Sequence, residues 1–381
     1  MELRDIALIY DCPHSTAPDE GEGYALIRTP NIGKGRLLMD NVHRVRKEVY
    51  DKRNKRAIPQ EGDIIFAREA PAGNAALITK GQKVCLGQRT VLIKPNHSIC
   101  DSEFLVYYIL SPKQQVKLLG FSHGATVQHV NIAELSKLPL NLPPLSIQHR
   151  IASILSVYDN LIENNNRRIR ILEQMAENLY KEWFVRFRFP GHEKAEFENG
   201  LPKGWKVDKY LNVAKISAGG DRPNVFSQIL TEDCAIPIYS NGIVDDGLYG
   251  YTNQPKIKKP CITISARGTV GFVCMRRTPF VPIVRLLSVV PNDNLNVYYL
   301  YHSSIYNDLE GNGTSQQQLT VPMLNKRKIL IPSIEILELF RKSVEPLYDQ
   351  IDIIKEQSSL LSRQRDLLLP RLMSGKLEVK V

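Results

Sequence analysis

Ten basic side chains crowd the stretch from Arg28 to Arg56, against three acids: Arg28, Lys34, Arg36, Arg44, Arg46, Lys47, Lys52, Arg53, Lys55 and Arg56. Cations at that density are suited to phosphate oxygens, whose contacts supply affinity without sequence information. Taken alone, the cluster reads more simply as a solvated loop face. Nothing near it has the spacing of an active site. There is no Gly-x-x-x-x-Gly-Lys-Ser/Thr phosphate loop, no Gly-x-Ser-x-Gly elbow and no His-Glu-x-x-His pair. Gly33-Lys34-Gly35 and the 311–315 segment GNGTS are glycine-rich, but they lack the lysine placement and read as turns. The Asn/Asp-Pro-Pro-Tyr/Phe sequence that holds a flipped base for methylation is absent too. Eight histidines are scattered; His123 and His129 flank Thr126 and could reach a polyanion, though each reads more simply as a polar surface residue.

The composition is that of a soluble globular chain: 381 residues, 43% hydrophobic, 24% charged, net charge +10. That length predicts two to four domains. No 18-residue apolar run predicts a membrane span, and the N-terminus lacks a signal-peptide layout. The six cysteines form no C-x-x-C pair, so neither a zinc site nor a disulfide framework is expected. A cytoplasmic protein with reduced thiols follows.

The charge is not spread evenly. Residues 1–145 carry 19 basic and 15 acidic side chains, and residues 200–333 carry 15 and 9. Residues 146–199 and 334–381 hold 8 of each sign. The two neutral blocks share a pattern. Phe340, Val344, Leu347, Ile351, Ile354, Ser358, Leu361, Arg365, Leu368 and Leu372 follow a 4,3 alternation, a heptad seam. An offset of 189 returns Ile151, Leu155, Tyr158, Ile162, Asn165, Ile169, Leu172, Ala176, Leu179 and Trp183 in the same register. Upstream, Gly124-Ala125-Thr126 matches Gly313-Thr314-Ser315, and the 133–144 segment AELSKLPLNLPP faces PMLNKRKILIPS at 322–333. Ala67-Arg68-Glu69 resembles Ala266-Arg267-Gly268 at an offset of 199, inside strand-like runs. The rest of the two basic blocks look unrelated.

The chain therefore reads as a tandem duplication of reader, helix, reader, helix. Proline-rich breaks precede both helices, Pro346 kinks the second or marks its start, and a linker over 190–204 follows the first. Helices of about 35 residues would span roughly 50 Å. Their apolar stripes need burial and match each other, so they are expected to pair antiparallel with a reader at each end. Asn165 and Ser358 would fix the register. The uninterrupted heptad disfavours the other reading, in which both helices belong to the cores of compact domains. Two basic modules of unlike sequence on a stiff spacer suit a split, non-palindromic DNA site.

The segments LPPLSIQ (142–148), IASILSVYD (151–159), LIE (161–163), ENLYKEWF (177–184) and LPKGW (201–205) closely resemble the central region of the specificity subunit of type I restriction-modification enzymes. QRDLLLPRLMSGKL (364–377) resembles its distal region, whereas SIEIL (333–337) departs from the first copy's LSIQ. The resemblance covers the whole chain in layout. It implies an α+β fold with two mixed α/β target recognition domains separated by a two-helix antiparallel coiled coil. The bounds are 1–145 for the first domain, 146–188 for the central helix, 189–333 for linker and second domain, and 334–381 for the distal helix and tail. It also implies a chain with no catalysis or cofactor of its own. The expected partners are double-stranded DNA, two methylation subunits carrying S-adenosylmethionine, and two motor-nuclease subunits using ATP and magnesium. Adenine would be methylated within a bipartite site.

Specificity needs side chains on base edges, Arg on guanine and Asn or Gln on adenine. The candidates are Arg28, Lys34, Arg36, Arg44, Arg46 and Arg68 in the first reader, and Arg222, Ser240, Asn241, Arg267, Arg276 and Arg277 in the second. The stretches Thr126–His129 and Ser315–Gln318 are further candidates, although a shared structural loop explains their repetition equally well. Arg167, Arg168, Arg170 and Gln174, off the seam, are candidates for partner docking. Tyr180, Trp183 and Phe184 are expected to be exposed aromatics that a partner covers. The rival readings are a stand-alone DNA-binding regulator or structural protein, and an enzyme with an unfamiliar site.

Overall fold

Short strand-forming runs alternate with turns in each module of the computed structural model, and segments of two long amphipathic helices complete both; residues 1–120, 129–307 and 318–379 are described. The chain divides into two units, residues 1–167 with 354–381, and residues 168–353.

In unit 1, α1 (Leu3–Ile6) leads into β1 (Ala7–Asp11). Then come β2 (Tyr24–Ile27), β3 (Gly35–Arg36), β4 (His43–Val45), α2 (Lys47–Arg53), β5 (Ile64–Ala67), β6 (Ala75–Leu77), β7 (Val84–Leu86) and β8 (Thr90–Pro95). Every residue of β5, β6 and β7 is buried, and such continuous apolar runs mark strands covered on both faces. The main sheet has the order β1-β8-β5-β6-β3, and a second has the order β4-β2-β7. Next is α3 (Ser102–Leu110), started by Asp101, whose side chain accepts from the Phe104 N–H at 2.7 Å. It is buried nearly all round, as a helix hydrophobic on every face must be. α4 (Pro112–Gly120) and α5 (Ile132–Ser136) follow. The first long helix, α6 (Leu145–Tyr180), begins at the proline break.

A single turn of π-helix, Lys181–Val185, ends α6, and Phe187 at φ 56° turns the chain away. Unit 2 continues with β9 (Phe197–Glu198), β10 (Leu201–Pro202), β11 (Lys206–Lys209), α7 (Tyr210–Val213), β12 (Ala214–Ala218), β13 (Ile236–Tyr239) and β14 (Leu248–Thr252). After these come β15 (Cys261–Ile264), β16 (Val273–Arg276), β17 (Val281–Pro282), β18 (Leu287–Pro291), α8 (Val297–Tyr306), α9 (Val321–Lys326), β19 (Lys328–Ile331) and α10 (Ile334–Met373). The sheets run β12-β18-β15-β16 and β14-β13-β17. This is the strand order of the first module without its β3 edge. The parallel pair β2–β7 recurs as β13–β17, and the antiparallel pair β2–β4 as β13–β14.

The duplication therefore runs through the strand framework of both readers, which their sequences conceal. Leu3 and Tyr210 open equivalent helices 207 residues apart, the N-caps Asp101 and Asn296 are 195 apart, and the N-caps Asn131 and Thr320 are 189 apart. Shorter connections in the second copy shrink the offset stepwise, which scrambles a fixed-offset comparison. One match from sequence is corrected. Gly73 N–H donates to Ala67 O as Gly271 N–H does to Ser265 O, and Val130 N–H donates to Arg68 O as Leu319 N–H does to Ala266 O. The offset there is 198, so Arg68 is equivalent to Ala266 and Glu69 to Arg267; a slip of one residue had exchanged the two faces of the strand end.

All seam positions are buried or half-buried: Ile151, Leu155, Tyr158, Ile162, Asn165, Ile169, Leu172, Ala176, Leu179 and Trp183 on α6, and Phe340, Val344, Leu347, Ile351, Ile354, Ser358, Leu361, Arg365, Leu368 and Leu372 on α10. Within each unit the two helix segments run antiparallel. In unit 1 Asp159 meets Arg365, and the Asn165 amide donates to the Ser358 hydroxyl at 3.2 Å. In unit 2 Trp183 and Phe184 lie against Phe340 with ring centroids 5.9 and 5.0 Å apart. The helices also do what the heptad disfavoured, because they enter the reader cores. Ile151, Leu155 and Leu372 pack with α3 residues Phe104 and Tyr107, while Phe340, Val344 and Ile351 pack with Tyr298 and Tyr299 of α8. Tyr180, Trp183 and Phe184 are accordingly 5%, 8% and 3% exposed, not a free aromatic surface. α10 runs unbroken through Pro346, which sits on its exposed side where water can satisfy the carbonyl one turn back.

Candidate nucleic-acid interface

The candidate cations separate into two groups. Lys34, Arg44, Arg46, Arg222 and Arg267 are exposed, and Arg28 is half-buried. Arg44 donates to Gly23 O at 2.9 Å, and Arg46 pairs with Glu20 at 2.7 Å. Both contacts lie at the surface, where water screens them, so they yield readily to a phosphate. Arg222 lies over the Phe226 ring, 4.6 Å from its centroid, a platform that holds the guanidinium outward.

The other group is engaged inside the modules. Arg68 donates to Val130 O at 3.1 Å and Asp11 at 3.3 Å, and lies 3.0 Å from the His129 imidazole. Arg53 donates to Leu86 O at 2.6 Å and Ser15 O at 3.0 Å, and burial lowers its pKa. Arg276 is buried over the Tyr239 ring, 3.6 Å from the centroid, and donates to Thr263 Oγ1 at 3.0 Å and Asp246 O at 2.5 Å. Asn241 is a pin: its amide donates to Val284 O at 2.7 Å and its carbonyl accepts from the Ala266 N–H at 2.8 Å. Ser240, half-buried, has its hydroxyl 3.5 Å from Asn241 O.

Arg36 and Arg277 come from different strands yet do one job. Arg36 on β3 donates to Glu103 of α3 at 2.8 Å and Asn160 of α6 at 3.2 Å. Arg277, just after β16, pairs with Asp349 and, at 2.6 Å, Asp352 of α10, and lies 5.7 Å from the Tyr298 centroid of α8. Glu103 and Tyr298 are equivalent at offset 195, and Asn160 and Asp349 at 189. Each guanidinium thus fastens its reader to its helix segments. Burial opposes the charge on both, but the Tyr107 and Glu103 surroundings of Arg36, and the Asp349 hydrogen bond of Arg277, outweigh it and raise both pKa values.

A second contact lies beside each clamp. The Tyr107 hydroxyl donates to Asp159 Oδ2 at 2.6 Å, and Arg365 holds Oδ1 at 2.5 Å. Gly35 makes this approach possible. At φ 103° it has no side chain, and a Cβ there would stand 2.8 Å from the Asp159 carboxylate. In unit 2 the equivalent pair is His302 and Tyr348, ring nitrogen and hydroxyl 2.9 Å apart. Burial pushes the His302 imidazole down to about 4. Sequence reading missed Tyr107, Asp159, His302 and Tyr348. One signal was present: the seam carries charged Arg365 where the other copy has Ala176.

A polar pair also recurs at the same place within each module. Glu69 meets His129 at 3.1 Å, and at the equivalent place Arg267 donates to Gln318 at 3.1 Å. His123, Thr126 and Ser315, with the rest of the stretches that lead to His129 and Gln318, lie outside the described residues. Arg167, Arg168, Arg170 and Gln174 are exposed on α6, where Arg167 pairs with Glu163 one turn away. Among the described residues no group of His, Cys, Asp and Glu could hold a metal ion, and no helix is long and apolar enough to cross a membrane.

Two copies of one α/β module, each fastened to antiparallel helix segments and each presenting different exposed cations, define a tandem recognition protein. Residues 1–174 and 202–363 match the type I restriction modification DNA specificity domain, and the chain belongs to that family, with two recognition domains in tandem. It is 27% identical over 347 residues to the MjaIX specificity subunit of Methanocaldococcus jannaschii, covering 84% of this chain and 78% of that one. It is 24% identical to the HindI specificity subunit of Haemophilus influenzae, covering 85% and 88%. The fold is that of the type I restriction-modification S subunit from M. genitalium, with a TM-score of 0.55 at 17% identity over 98% and 95% of the chains.

Proposed function

We propose that this chain selects the DNA site of a type I restriction-modification complex and performs no chemistry itself. Each recognition domain reads one half of a bipartite, asymmetric duplex site. Two methylation subunits bring S-adenosylmethionine and methylate adenine; two motor-nuclease subunits bring ATP and magnesium. The complex works in the cytoplasm. The observation that carries this reading is one strand topology built twice with unlike exposed cations, Lys34, Arg44 and Arg46 in one copy and Arg222 and Arg267 in the other. Matched scaffolds with unlike reading surfaces suit unlike half-sites.

The helix faces supply places for the methylation subunits. Val157, Leu161, Leu360 and Leu367 are exposed apolar residues on the helices of unit 1, as are Ile171, Met175, Leu339 and Ile353 on those of unit 2. Apolar side chains in such rows, off the seam, suit partner helices. Mapping N6-methyladenine across the source genome, with and without this gene, tests the reading. Loss of one split motif with two unlike halves and a fixed gap is expected. A methylome unchanged by the deletion, with DNA bound by the chain in the absence of any methylase, would favour a stand-alone regulator.

A further inference from the structure

One place at the strand ends of the reader is neutral in unit 1 and doubly positive in unit 2. In unit 1 Arg89 pairs with Glu69 at 2.9 Å, and Arg68 pairs with Asp11 at 3.3 Å. The backbone ladder identifies the counterparts. Gly87 N–H donates to Ile27 O as Ile283 N–H does to Tyr239 O, so Arg89 is equivalent to Arg285 at an offset of 196. Asp11 lies opposite Val91 of β8 as Ala218 lies opposite Leu287 of β18. Arg285, Arg267, Ala266 and Ala218 therefore stand where unit 1 has Arg89, Glu69, Arg68 and Asp11. Two arginines with two carboxylates become two arginines with neither, and among the described residues no carboxylate pairs with Arg267 or Arg285.

Arg89 and Arg285 also share a left-handed backbone, at φ 64° and 62°. Glycine takes that conformation without steric cost, whereas a residue with a Cβ is strained there. An arginine at both places, in readers whose sequences otherwise diverge, points to use of its side chain. The strand ends differ in one respect. In unit 1 the Arg68 N–H donates to Arg89 O at 2.9 Å. In unit 2 the equivalent Ala266 N–H donates to Asn241, which also holds Val284 O. One side chain thus fixes the residues just before Arg267 and Arg285, and both arginines are exposed. Gln318 orients Arg267 at 3.1 Å, while the Arg285 guanidinium has no partner among the described residues.

We propose that this edge of unit 2 contacts DNA, with Arg267 reading a guanine and Arg285 taking a backbone phosphate, and that the equivalent edge of unit 1 does neither because its own carboxylates occupy both arginines. A guanidinium held in one orientation can meet guanine O6 and N7 together. A guanidinium without a partner suits a phosphate, which supplies charge and carries no sequence information. This assignment rests on the reading of the chain as a DNA specificity subunit, and it gives the two half-sites different requirements at one equivalent place.

The test maps N6-methyladenine in strains whose only copy of this gene is removed or carries Arg267→Ala, Arg267→Lys, Arg285→Ala or Arg89→Ala. Each full-length variant, assembled with its methylation subunits, is then titrated with a duplex bearing the parent motif at several salt concentrations. Arg267→Ala and Arg267→Lys should both lose the requirement for one guanine in one half-site, since lysine keeps the charge without the fork. Binding of the parent motif should weaken by about tenfold in Arg267→Ala. Replacing that guanine with 7-deazaguanine, which lacks the N7 acceptor, should weaken the parent complex and leave the Arg267→Ala complex unchanged. Arg285→Ala should keep the motif and reduce the salt slope by about 1, whereas Arg89→Ala should alter neither. Arg267→Glu rebuilds the unit 1 ion pair with Arg285 and should remove both contacts together. A motif unchanged in Arg267→Ala, a salt slope unchanged in Arg285→Ala, or an equal effect of Arg89→Ala would overturn the assignment, while loss of the motif on gene removal would still uphold the chain as a specificity subunit. A methylome unchanged by gene removal would overturn that reading and the assignment with it.

Discussion

Unit 1 fastens its reader to the helices with charge, and unit 2 does so largely with aromatic rings. In the first, Asp159 sits between Tyr107 and Arg365, and Arg36 bridges Glu103 and Asn160. In the second, His302 and Tyr348 occupy the Tyr107 and Asp159 positions, Tyr180 stacks on His302 at 5.7 Å, and Ala176 makes room. The positions are the same, but the chemistry is different. What persists through the duplication is where reader and helix touch; the interactions used there have diverged. Opposite volumes at paired positions, Asp with Arg against Tyr with Ala, also disfavour mixing the halves of the two clamps. A buried carboxylate facing Ala176, or a buried guanidinium facing Tyr348, would be left without its partner.

The contrast breaks most sharply at Asp159. Its side chain is 3% exposed, and Asp159→Ala leaves the Tyr107 hydroxyl without its acceptor and the Arg365 guanidinium with only the exposed Asp366. A loss of about 3–5 kcal/mol is expected, the usual cost of breaking a buried pair from one side. Denaturant unfolding monitored by hydrogen exchange should place that loss in unit 1. Replacing both partners together, as Asp159→Leu with Arg365→Met, should recover most of it.

The next effect belongs to unit 2 and depends on pH. His302 is neutral in the fold down to about 4, whereas the unfolded side chain protonates near 6.5. Its depressed pKa means that stability is fully present above about pH 6.5 and declines as pH falls toward 4. The loss should approach about 3 kcal/mol. Melting curves between pH 7 and 4 should show this decline in unit 2, and His302→Gln, which keeps an acceptor for Tyr348, should flatten it.

The guanidinium clamps come third. Arg36→Ala and Arg277→Ala should each cost about 1–2 kcal/mol, in the unit that holds the residue, since their partners are partly exposed. Neither change should alter the preferred bases of the other half-site. The smallest stability effects should come from Lys34→Ala and Arg267→Ala, within about 0.5 kcal/mol of the parent. Their effect should instead appear in DNA binding: Lys34→Ala, as a lost phosphate contact, should reduce the salt slope by about 1, and Arg267→Ala should relax recognition in its own half-site.

The seam and the duplication were legible because helices repeat with a short period that survives divergence. Asn165 and Ser358, two polar seam positions expected to fix the register, hydrogen-bond to each other. The clamps were not legible, because their partners are far apart in sequence: Tyr107 and Asp159, Arg277 and Asp349, Asp159 and Arg365. Nor can arginine content separate Arg36, Arg68, Arg276 and Arg277, engaged inside the modules, from Lys34, Arg44 and Arg267 at the surface. A guanidinium suits a buried acid or ring as well as a phosphate. The reader topology stayed hidden because the strands are short and the offset drifts from 207 to 189.

The central claim is that each module reads its own half of one split site. It is tested most directly by mapping adenine methylation in a strain whose only copy of this gene carries Arg222→Ala and Arg267→Ala. The account predicts a motif relaxed or altered in one half, with the other half and the gap unchanged. Identical methylation, or simultaneous change in both halves, would contradict it.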